Sequence, residues 1–334
     1  MTGQANSPPL VTAIVLCYNH ARFVVEALDG VKAQAYANIQ LLIIDDRSTD
    51  DSVAVIERWI AENTIDCTFV RHEKNMGLCR SLNEAVSLSR GDYISLVAAD
   101  DVWLPHKIAM QVEMLEKLPR KMGVAYTDAF QIDEAGTVLP KRFIEDHRRS
   151  LTSPPTGNVQ EQLWRGNFIP AMATLVRAEC YKTVGGYDEK LAYEDWDFWL
   201  RVSRKYEFAF SPEISAKYRV LATSMIRTRQ DDIRKSVRRI YLKNLEAGDL
   251  PPAIQRTAID VLMDEAARSH RSGDIDYRGL LARAKDVRGI ERIARMAARI
   301  SFAVPIGLFP ACDALWRWTF GRRYYRSQRK KAKI

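Results

Sequence analysis

Two adjacent aspartates end an apolar stretch of the chain. Residues 95–103 read SLVAADDVW, so Asp100 and Asp101 follow a run that begins at Tyr93. Short apolar runs of this kind are typical of strands buried in a parallel sheet, which places both carboxylates where the strand leaves the sheet. Neighbouring carboxylates repel each other. The pair is therefore expected either to be solvated by water or to hold a cation against an anionic ligand.

Polar side chains also follow two earlier strand-like runs. Tyr18 and Asn19 come after the first run, and Asp45 and Asp46 come after the second. Ligands of parallel sheets bind beyond the carboxyl ends of the strands, so these residues are expected to converge with the aspartate pair on one edge. Asp45 is interpreted either as a member of that site or as an acid that caps or orients the following segment.

The chain lacks the two glycine-rich motifs that commonly bind phosphate, GxGxxG and GxxxxGK[ST]. Their absence removes the main support for a dinucleotide-binding or P-loop protein. A phosphate group at this edge is therefore expected to be held by a metal. Arg80, beside the turn at 75–77, is interpreted either as a contact of a diphosphate or as a solvated surface charge.

Strand-like and helix-like segments alternate four times in the first 130 residues. Strands are predicted over 10–16, 39–44, 67–70 and from 93, and helices over 22–34, through 55–60, over 78–89 and from Pro105 to about 118. This alternation predicts an α/β fold with a mainly parallel sheet flanked by helices. Residues 140–167 are predicted to be a surface connection, and a helix with acidic residues in its first turn is predicted over 193–202.

Composition narrows the class of protein. The 334 residues carry a formal charge of +8, which suits phosphorylated ligands, nucleic acid or an anionic membrane surface. Five scattered cysteines without a CxxC pair favour a reducing, cytoplasmic location, and the first residues lack the pattern of a secretory signal. Nucleic acid is not expected as a partner, because no aromatic stacking motif accompanies the basic residues.

The last hundred residues differ from the rest in composition. Residues 231–300 have a helical, basic pattern and are predicted to form an appendage to a main domain at 1–230. Residues 301–334 combine tryptophans and tyrosines with a run of arginines and lysines, which suits peripheral attachment to the inner face of an anionic membrane. The alternative is a terminal helix packed on the domain with a solvated tail.

Five segments, in order, resemble the inverting family-2 glycosyltransferases of the GT-A fold. They read VTAIVLCYNHARFVVEALDGVKAQ, LLIIDDRSTDDS, KNMGLCRSLNEA, GDYISLVAADDVW, and VGGYDEKL with YEDWDFWLR, and the resemblance covers residues 10–225. It implies a Rossmann-like, mixed but mainly parallel sheet flanked by helices. It also implies a nucleotide-binding half at about 10–130 and an acceptor half at about 160–230.

The resemblance assigns roles to individual residues. Tyr18, Asn19 and Asp46 are expected to contact the base and ribose of a nucleotide sugar. Asp100 and Asp101 match the DXD-type motif, whose aspartates contact the ribose and bind Mn²⁺ or Mg²⁺ on the diphosphate; which of the two binds metal is left open. These oxygen ligands agree with the preferences of hard divalent cations.

A second motif supplies the base for the reaction. Asp195 of YEDWDFW matches the family's ED motif and is expected to take the proton of the acceptor hydroxyl during direct inversion. The chain departs from the family pattern at two positions. Ala98 stands where an aspartate is usual, and Leu221 stands where many relatives carry a histidine.

The predicted function is metal-dependent inverting transfer of a hexose or deoxyhexose to a glycan or lipid-linked acceptor, in cell-surface polysaccharide assembly. The donor is expected to be linked to UDP, dTDP or GDP. Two alternatives stay open. One is a catalytically silent binding protein on the same scaffold, which the two departures favour. The other is a nucleotidyltransferase, which the lack of glycine in CYNHARF disfavours.

Overall fold

The computed structural model describes residues 7–147, 151, 153–224, 228–247, 250–252, 254–255 and 257. The described residues fall within one compact unit. The predicted appendage from 258 onwards and the predicted membrane-binding segment 301–334 lie outside them. Across the described ranges, no helix has both the length and the apolar character needed to cross a bilayer.

Nine strands of the described chain form one sheet. They are β1 (Val11–Cys17), β2 (Ile39–Asp45), β3 (Cys67–Arg71), β4 (Tyr93–Ala98), β5 (Val102–Trp103), β6 (Met122–Ile132), β7 (Val138–Arg142), β8 (Thr174–Arg177) and β9 (Glu207–Arg219). Their spatial order is β3-β2-β1-β4-β8-β6-β9-β5, with β7 paired to β6. The first four strands in this order are parallel, whereas β8 is antiparallel to both of its neighbours. The predicted mixed sheet is confirmed.

Helices cover this sheet. They are α1 (Val24–Lys32), α2 (Ser52–Asn63), α3 (Leu78–Leu88), α4 (Lys107–Glu116), α5 (Phe143–His147), α6 (Gln160–Trp164), α7 (Ala178–Val184), α8 (Glu194–Val202) and α9 (Gln230–Glu246). Strand β1 is buried along nearly all of its length, as its continuous apolar run predicts for a strand covered on both faces. The strands predicted over 10–16, 39–44 and 67–70 and the helices predicted over 22–34 and 78–89 end within two residues of the observed ones. The helix predicted through 55–60 extends to Asn63.

Two expectations from the sequence need correction. Pro105 does not begin α4, because the Lys107 amide donates to the Leu104 carbonyl and closes a turn that contains the proline. Residues 140–167 are more than a surface connection, since they include the end of β7 and helices α5 and α6. Ile144 and Trp164 are buried there, and their apolar side chains explain why this segment packs onto the domain.

A buried ion-pair network fixes α8 against α9. The Asp197 side chain is fully buried and accepts hydrogen bonds from Arg201 Nε at 2.8 Å, Lys243 Nζ at 3.0 Å and Asn244 Nδ2 at 3.2 Å. Lys243 Nζ also donates to Asp188 Oδ2 at 2.8 Å. A buried carboxylate needs such partners to offset its lost hydration, so α8 is held in one position.

We expect Asp197→Ala to lower the free energy of unfolding by about 3 kcal/mol, because it removes the fully buried carboxylate that Arg201, Lys243 and Asn244 share. Urea unfolding followed by circular dichroism measures this change. Glu113→Ala is the control, since it breaks an exposed pair with Lys117 and is expected to move the midpoint little. Equal midpoints for the two variants would contradict a structural role for the network.

Candidate active site

The aspartate pair lies at the carboxyl end of β4, as the sequence predicts. Asp101 is 4% exposed, and its Oδ1 accepts a hydrogen bond from the Arg219 amide at 2.9 Å. The Arg219 guanidinium donates from Nε to the Asp100 carbonyl, also at 2.9 Å. One arginine of β9 therefore orients both residues of the pair.

Burial governs the protonation of the pair. It raises the pKa of Asp100, and it raises the pKa of Asp101 well above the usual range, where the neighbouring Asp100 carboxylate adds to the effect. A positive charge placed beside the two aspartates would favour their ionised forms.

His20 is a residue of this edge to which the sequence assigned no role. Its Nδ1 lies 3.6 Å from Asp100 Oδ1 and has no hydrogen-bond partner among the described residues. Its position directly after Tyr18 and Asn19 is the feature of the sequence that predicts a place for it at the same edge of the sheet.

The end of β1 presents one side chain to solvent and uses another to hold a loop. Tyr18 is 47% exposed. Asn19 adopts a left-handed backbone conformation, with φ at 58°. The backbone amide of Asn19 donates to Ser48 Oγ at 2.8 Å, and the side-chain Oδ1 of Asn19 accepts from the backbone amide of Thr49 at 2.7 Å. The ends of β1 and β2 are therefore brought together as predicted.

Asp45, at the end of β2, is engaged within its own loop. It is buried, and its carboxylate accepts hydrogen bonds from the Ser48 amide at 2.8 Å and from Ser48 Oγ at 2.5 Å. Of the two interpretations of Asp45, this geometry matches the acid that orients the following segment.

Asp46 holds the turn that leads into α3. Its Oδ1 accepts from the Met76 amide at 2.6 Å and its Oδ2 from the Gly77 amide at 2.9 Å. His72 Nδ1 lies 2.8 Å from Oδ1, and His72 Nε2 lies 2.9 Å from Glu84. Since Asp46 is only 6% exposed, most of its hydrogen-bonding capacity is used inside the protein.

Arg80 lies in the first turn of α3, and its side chain points to the acceptor half. Its Nε donates to Glu189 Oε2 at 2.7 Å, and both side chains are exposed. This pair closes one side of a cleft formed by α3, residues 189–192 and α9.

The predicted base, Asp195, lies in the first turn of α8. Asn167 Nδ2 donates to its Oδ2 at 3.0 Å, and the Trp196 amide donates to its Oδ1 at 2.6 Å. The neighbouring Trp196 ring is buried, and its Nε1 donates to the Leu163 carbonyl at 2.7 Å. The carboxylate is thus fixed on a rigid helix.

Desolvation sets the protonation of the two acids that begin α8. It raises the pKa of Asp195 from 3.8 to about 6, although bonds from Trp196 and Asn167 oppose the rise. It raises the pKa of Glu194 to about 8, and the Asp195 charge contributes. Both acids therefore bind protons more tightly than an exposed carboxylate does, and a base with a pKa near 6 is well suited to accept a proton.

The described residues contain no group of three or more histidine, cysteine, aspartate or glutamate side chains arranged to hold a metal ion. The donor set at the end of β4 nevertheless fits a hard divalent cation that is bound by one or two carboxylates and completed by ligand phosphates and water. Asp100 fits best, because its carboxylate lies 3.6 Å from His20 Nδ1, beyond hydrogen-bond distance, whereas the Asp101 carboxylate accepts a hydrogen bond from the Arg219 amide. Leu221, in place of the family's histidine, is buried.

Residues 12–184 match the family model described as Glycosyl transferase family 2, which is just over half of the 334 residues. An uncharacterized glycosyltransferase of Rickettsia felis is 30% identical over 216 residues. That match covers 63% of this chain and 34% of the relative, so the chain corresponds to about a third of the relative's length.

Two solved structures are similar in fold. One is the mannosyltransferase PcManGT of Pyrobaculum calidifontis in complex with GDP-Man and Mn²⁺, with a TM-score of 0.57, 17% identity, and coverage of 96% of this chain and 84% of that one. The other is S. aureus TarS 1–349 in complex with UDP-GlcNAc, with a TM-score of 0.63, 14% identity, and coverage of 84% and 82%. The predicted GT-A fold is confirmed.

His72 should make stability near this site depend on pH. Burial lowers its pKa, but hydrogen bonds and charges from Asp46 and Glu84 outweigh burial and raise the pKa above 6.5. The folded form therefore binds the proton more tightly, so His72 stabilises fully below pH 6.5 and loses this effect as pH rises through the raised value.

We expect His72→Asn to destabilise the protein more at pH 5.5 than at pH 8.5, as measured by urea unfolding at both values. Asn38→Ala, which removes a side-chain amide that donates to the Pro8 carbonyl, is the control and should show no such pH dependence, because asparagine does not titrate. A His72→Asn effect of equal size at both pH values would show that the histidine is not charged in the folded protein.

Proposed function

The chain belongs to glycosyl transferase family 2, and from this premise we propose that it transfers a sugar from a nucleotide-sugar donor to a hydroxyl group of a glycan or lipid-linked acceptor. The observation that carries the proposal is Asp195, a desolvated carboxylate held by Asn167 at the start of α8, with its pKa raised to about 6. We place the reaction in the assembly of cell-surface polysaccharides.

The transfer proceeds in one step with inversion. Asp195 takes the proton of the acceptor hydroxyl, whose oxygen attacks the anomeric carbon from the face opposite the leaving group. The bond between that carbon and the diphosphate oxygen breaks, and a nucleoside diphosphate leaves with the electron pair. Glu194 has a pKa that burial and the Asp195 charge raise, so that it gains a proton readily and then adds no second negative charge beside the base.

The donor site is assigned to the edge formed by the ends of β1, β2 and β4. Tyr18 offers an exposed ring for stacking on the base, and Asn19 and Asp46 hold the loops around it. The proposal of a nucleotide-sugar donor is supported by the similar folds solved with GDP-Man and with UDP-GlcNAc. Arg80 stays a proposed contact of the donor diphosphate.

A divalent cation, Mn²⁺ or Mg²⁺, is assigned to Asp100, with Asp101 as the second candidate ligand. When bound, such an ion neutralises negative charge on the departing diphosphate. The similar fold solved with Mn²⁺ supports this assignment. Arg219 holds Asp100 through its backbone carbonyl, which leaves the Asp100 carboxylate available for the ion.

Asp195→Asn should reduce kcat by about 10²- to 10⁴-fold while donor binding is retained, because it removes the proton acceptor and little else. Sugar transfer from UDP-, dTDP- and GDP-linked donors is measured by release of the nucleoside diphosphate. The kcat of the unaltered protein should rise with pH through about 6, as Asp195 loses its proton.

Asp66→Asn is the matched control, since Asp66 is exposed and remote from α8 in sequence. It should keep normal kcat and the same pH profile. Near-normal transfer by Asp195→Asn would contradict the assignment of the base.

The matching nucleoside diphosphate should stabilise the protein only when Mn²⁺ or Mg²⁺ is present. At about 100 times its dissociation constant, the ligand adds about 2.7 kcal/mol to the free energy of unfolding, which a thermal melt detects. Asp100→Asn should abolish the part of the shift that depends on the metal.

Asp66→Asn serves again as the control and should retain the full shift. Absence of a shift with every nucleotide would contradict the proposed donor site and favour a catalytically silent protein. A larger loss in Asp101→Asn than in Asp100→Asn would reassign the metal to Asp101.

A further inference from the structure

A basic cleft opens beside the first turn of α3. It has a volume of about 440 Å³ and is lined by the first turn of α3, residues 189–192 and the first half of α9. Five cationic side chains line it, whereas only Glu189 and Asp232 are acidic. The cations are Arg80, Lys190, Arg229, Lys235 and Arg239. The lining therefore carries a net charge of +3, which favours an anionic ligand.

Three of the five cations already have described partners. Arg80 pairs with Glu189 at 2.7 Å, and Arg229 pairs with Asp232 at 2.8 Å. Arg239 Nη1 donates to the Lys190 carbonyl at 2.7 Å. Neither Lys190 nor Lys235 has a hydrogen bond or ion pair from its ammonium group to another described residue. These two lysines supply the positive charge that a ligand can neutralise.

The start of α3 adds to the positive potential. Helix α3 has 11 residues, no side-chain cap and no acidic residue in its first turn. Its N-terminus lies in the cleft wall, so its unpaired amides and dipole favour an anion there. By contrast, the Met76 and Gly77 amides just before it are taken by Asp46.

Hydrogen bonds hold the opposite wall, residues 189–192, in place. The Ala192 amide donates to Ser236 Oγ at 2.7 Å, and the Leu191 carbonyl accepts from Cys79 Sγ at 3.3 Å. Ala192 precedes Asp195 by three residues. Cys79 of the cleft lining also lies close enough to Glu194, the neighbour of Asp195, for that carboxylate to add to burial in raising the pKa of the thiol. Since Asp195 acts on the acceptor hydroxyl, a ligand seated against this wall is on the acceptor side of the reaction.

We infer that the basic cleft binds a phosphoryl group of the acceptor, so that the protein glycosylates a phosphate-bearing glycan or lipid-linked chain. This inference rests on the proposed glycosyl transfer at Asp195. In this proposal the ammonium groups of Lys190 and Lys235 contact the phosphoryl group, and the test depends on these two contacts. The other source of a phosphoryl group is the donor diphosphate, to which Arg80 has been assigned, and the test separates the two sources.

The test compares Lys190→Gln/Lys235→Gln with Lys182→Gln/Lys205→Gln in the full chain. Both double variants remove two exposed lysines and the same charge, but only the first pair lines the cleft. The probe is glucose 6-phosphate, with glucose as the neutral control, and binding is measured by calorimetry at low ionic strength. UDP and GDP with Mn²⁺ are titrated in parallel.

We expect the unaltered protein to bind glucose 6-phosphate and to show no binding of glucose. Lys190→Gln/Lys235→Gln should weaken the binding of glucose 6-phosphate about fivefold and leave nucleotide binding unchanged. Lys182→Gln/Lys205→Gln should change neither affinity. Equal weakening in both double variants, or in neither, would overturn the inference, because the anion would then be responding to total charge. The inference would also be overturned if the cleft variant, Lys190→Gln/Lys235→Gln, lost nucleotide binding but kept its affinity for glucose 6-phosphate, because the two lysines would then belong to the donor site.

Failure of the proposed glycosyl transfer would give a different result from failure of the inference about the cleft. If no nucleotide binds the unaltered protein, the donor site is wrong. The comparison of the two double variants with glucose 6-phosphate can still be read in that case, because it uses no donor and no turnover.

Discussion

The buried guanidinium of Arg219 is the interaction on which the candidate site depends. Its Nε donates to the Asp100 carbonyl, its Nη1 to the Asp133 and Glu134 carbonyls, and its Nη2 to the Glu26 carboxylate at 2.7 Å. The group also lies 4.6 Å from the centre of the Phe23 ring. A buried arginine without partners is very costly, so every one of these groups is held in place around it. The ends of β4, β6 and β9 and the first turn of α1 are thereby joined at one point.

That junction explains why two carboxylates can be kept buried beside each other. The Arg219 charge and its amide favour the ionised forms of Asp100 and Asp101, but desolvation still raises the pKa of both. The fold therefore maintains an electrostatically unfavourable pair, and a divalent cation is a chemically suitable partner for it. Because metal binding displaces protons from its ligands, affinity at such a site increases with pH over the range in which the aspartates titrate.

Carboxylates hold neighbouring segments in place in both the proposed donor site and the proposed acceptor site. On the donor side, Asp45 and Asp46 accept backbone amides and so shape the loops around the strand ends. On the acceptor side, Asp197 is buried in ion pairs that hold α8, which lets Asp195 on the same helix remain available for a proton. Neighbouring acids with similar sequence context thus lie in distinct environments, which the hydrogen-bond donors around each one determine.

The elements of the first half could be predicted from the sequence by itself, because the apolar runs at 11–17 and 39–45 and the helical spacing at 24–32 are local properties. The sequence also determined that the polar residues after these strands share one edge, since parallel topology requires it. Only the tertiary structure decided what each of them contacts. Asp101 meets the Arg219 amide across 118 residues and Arg80 meets Glu189 across 109, and contacts at that separation are set by how the elements pack and not by any local pattern.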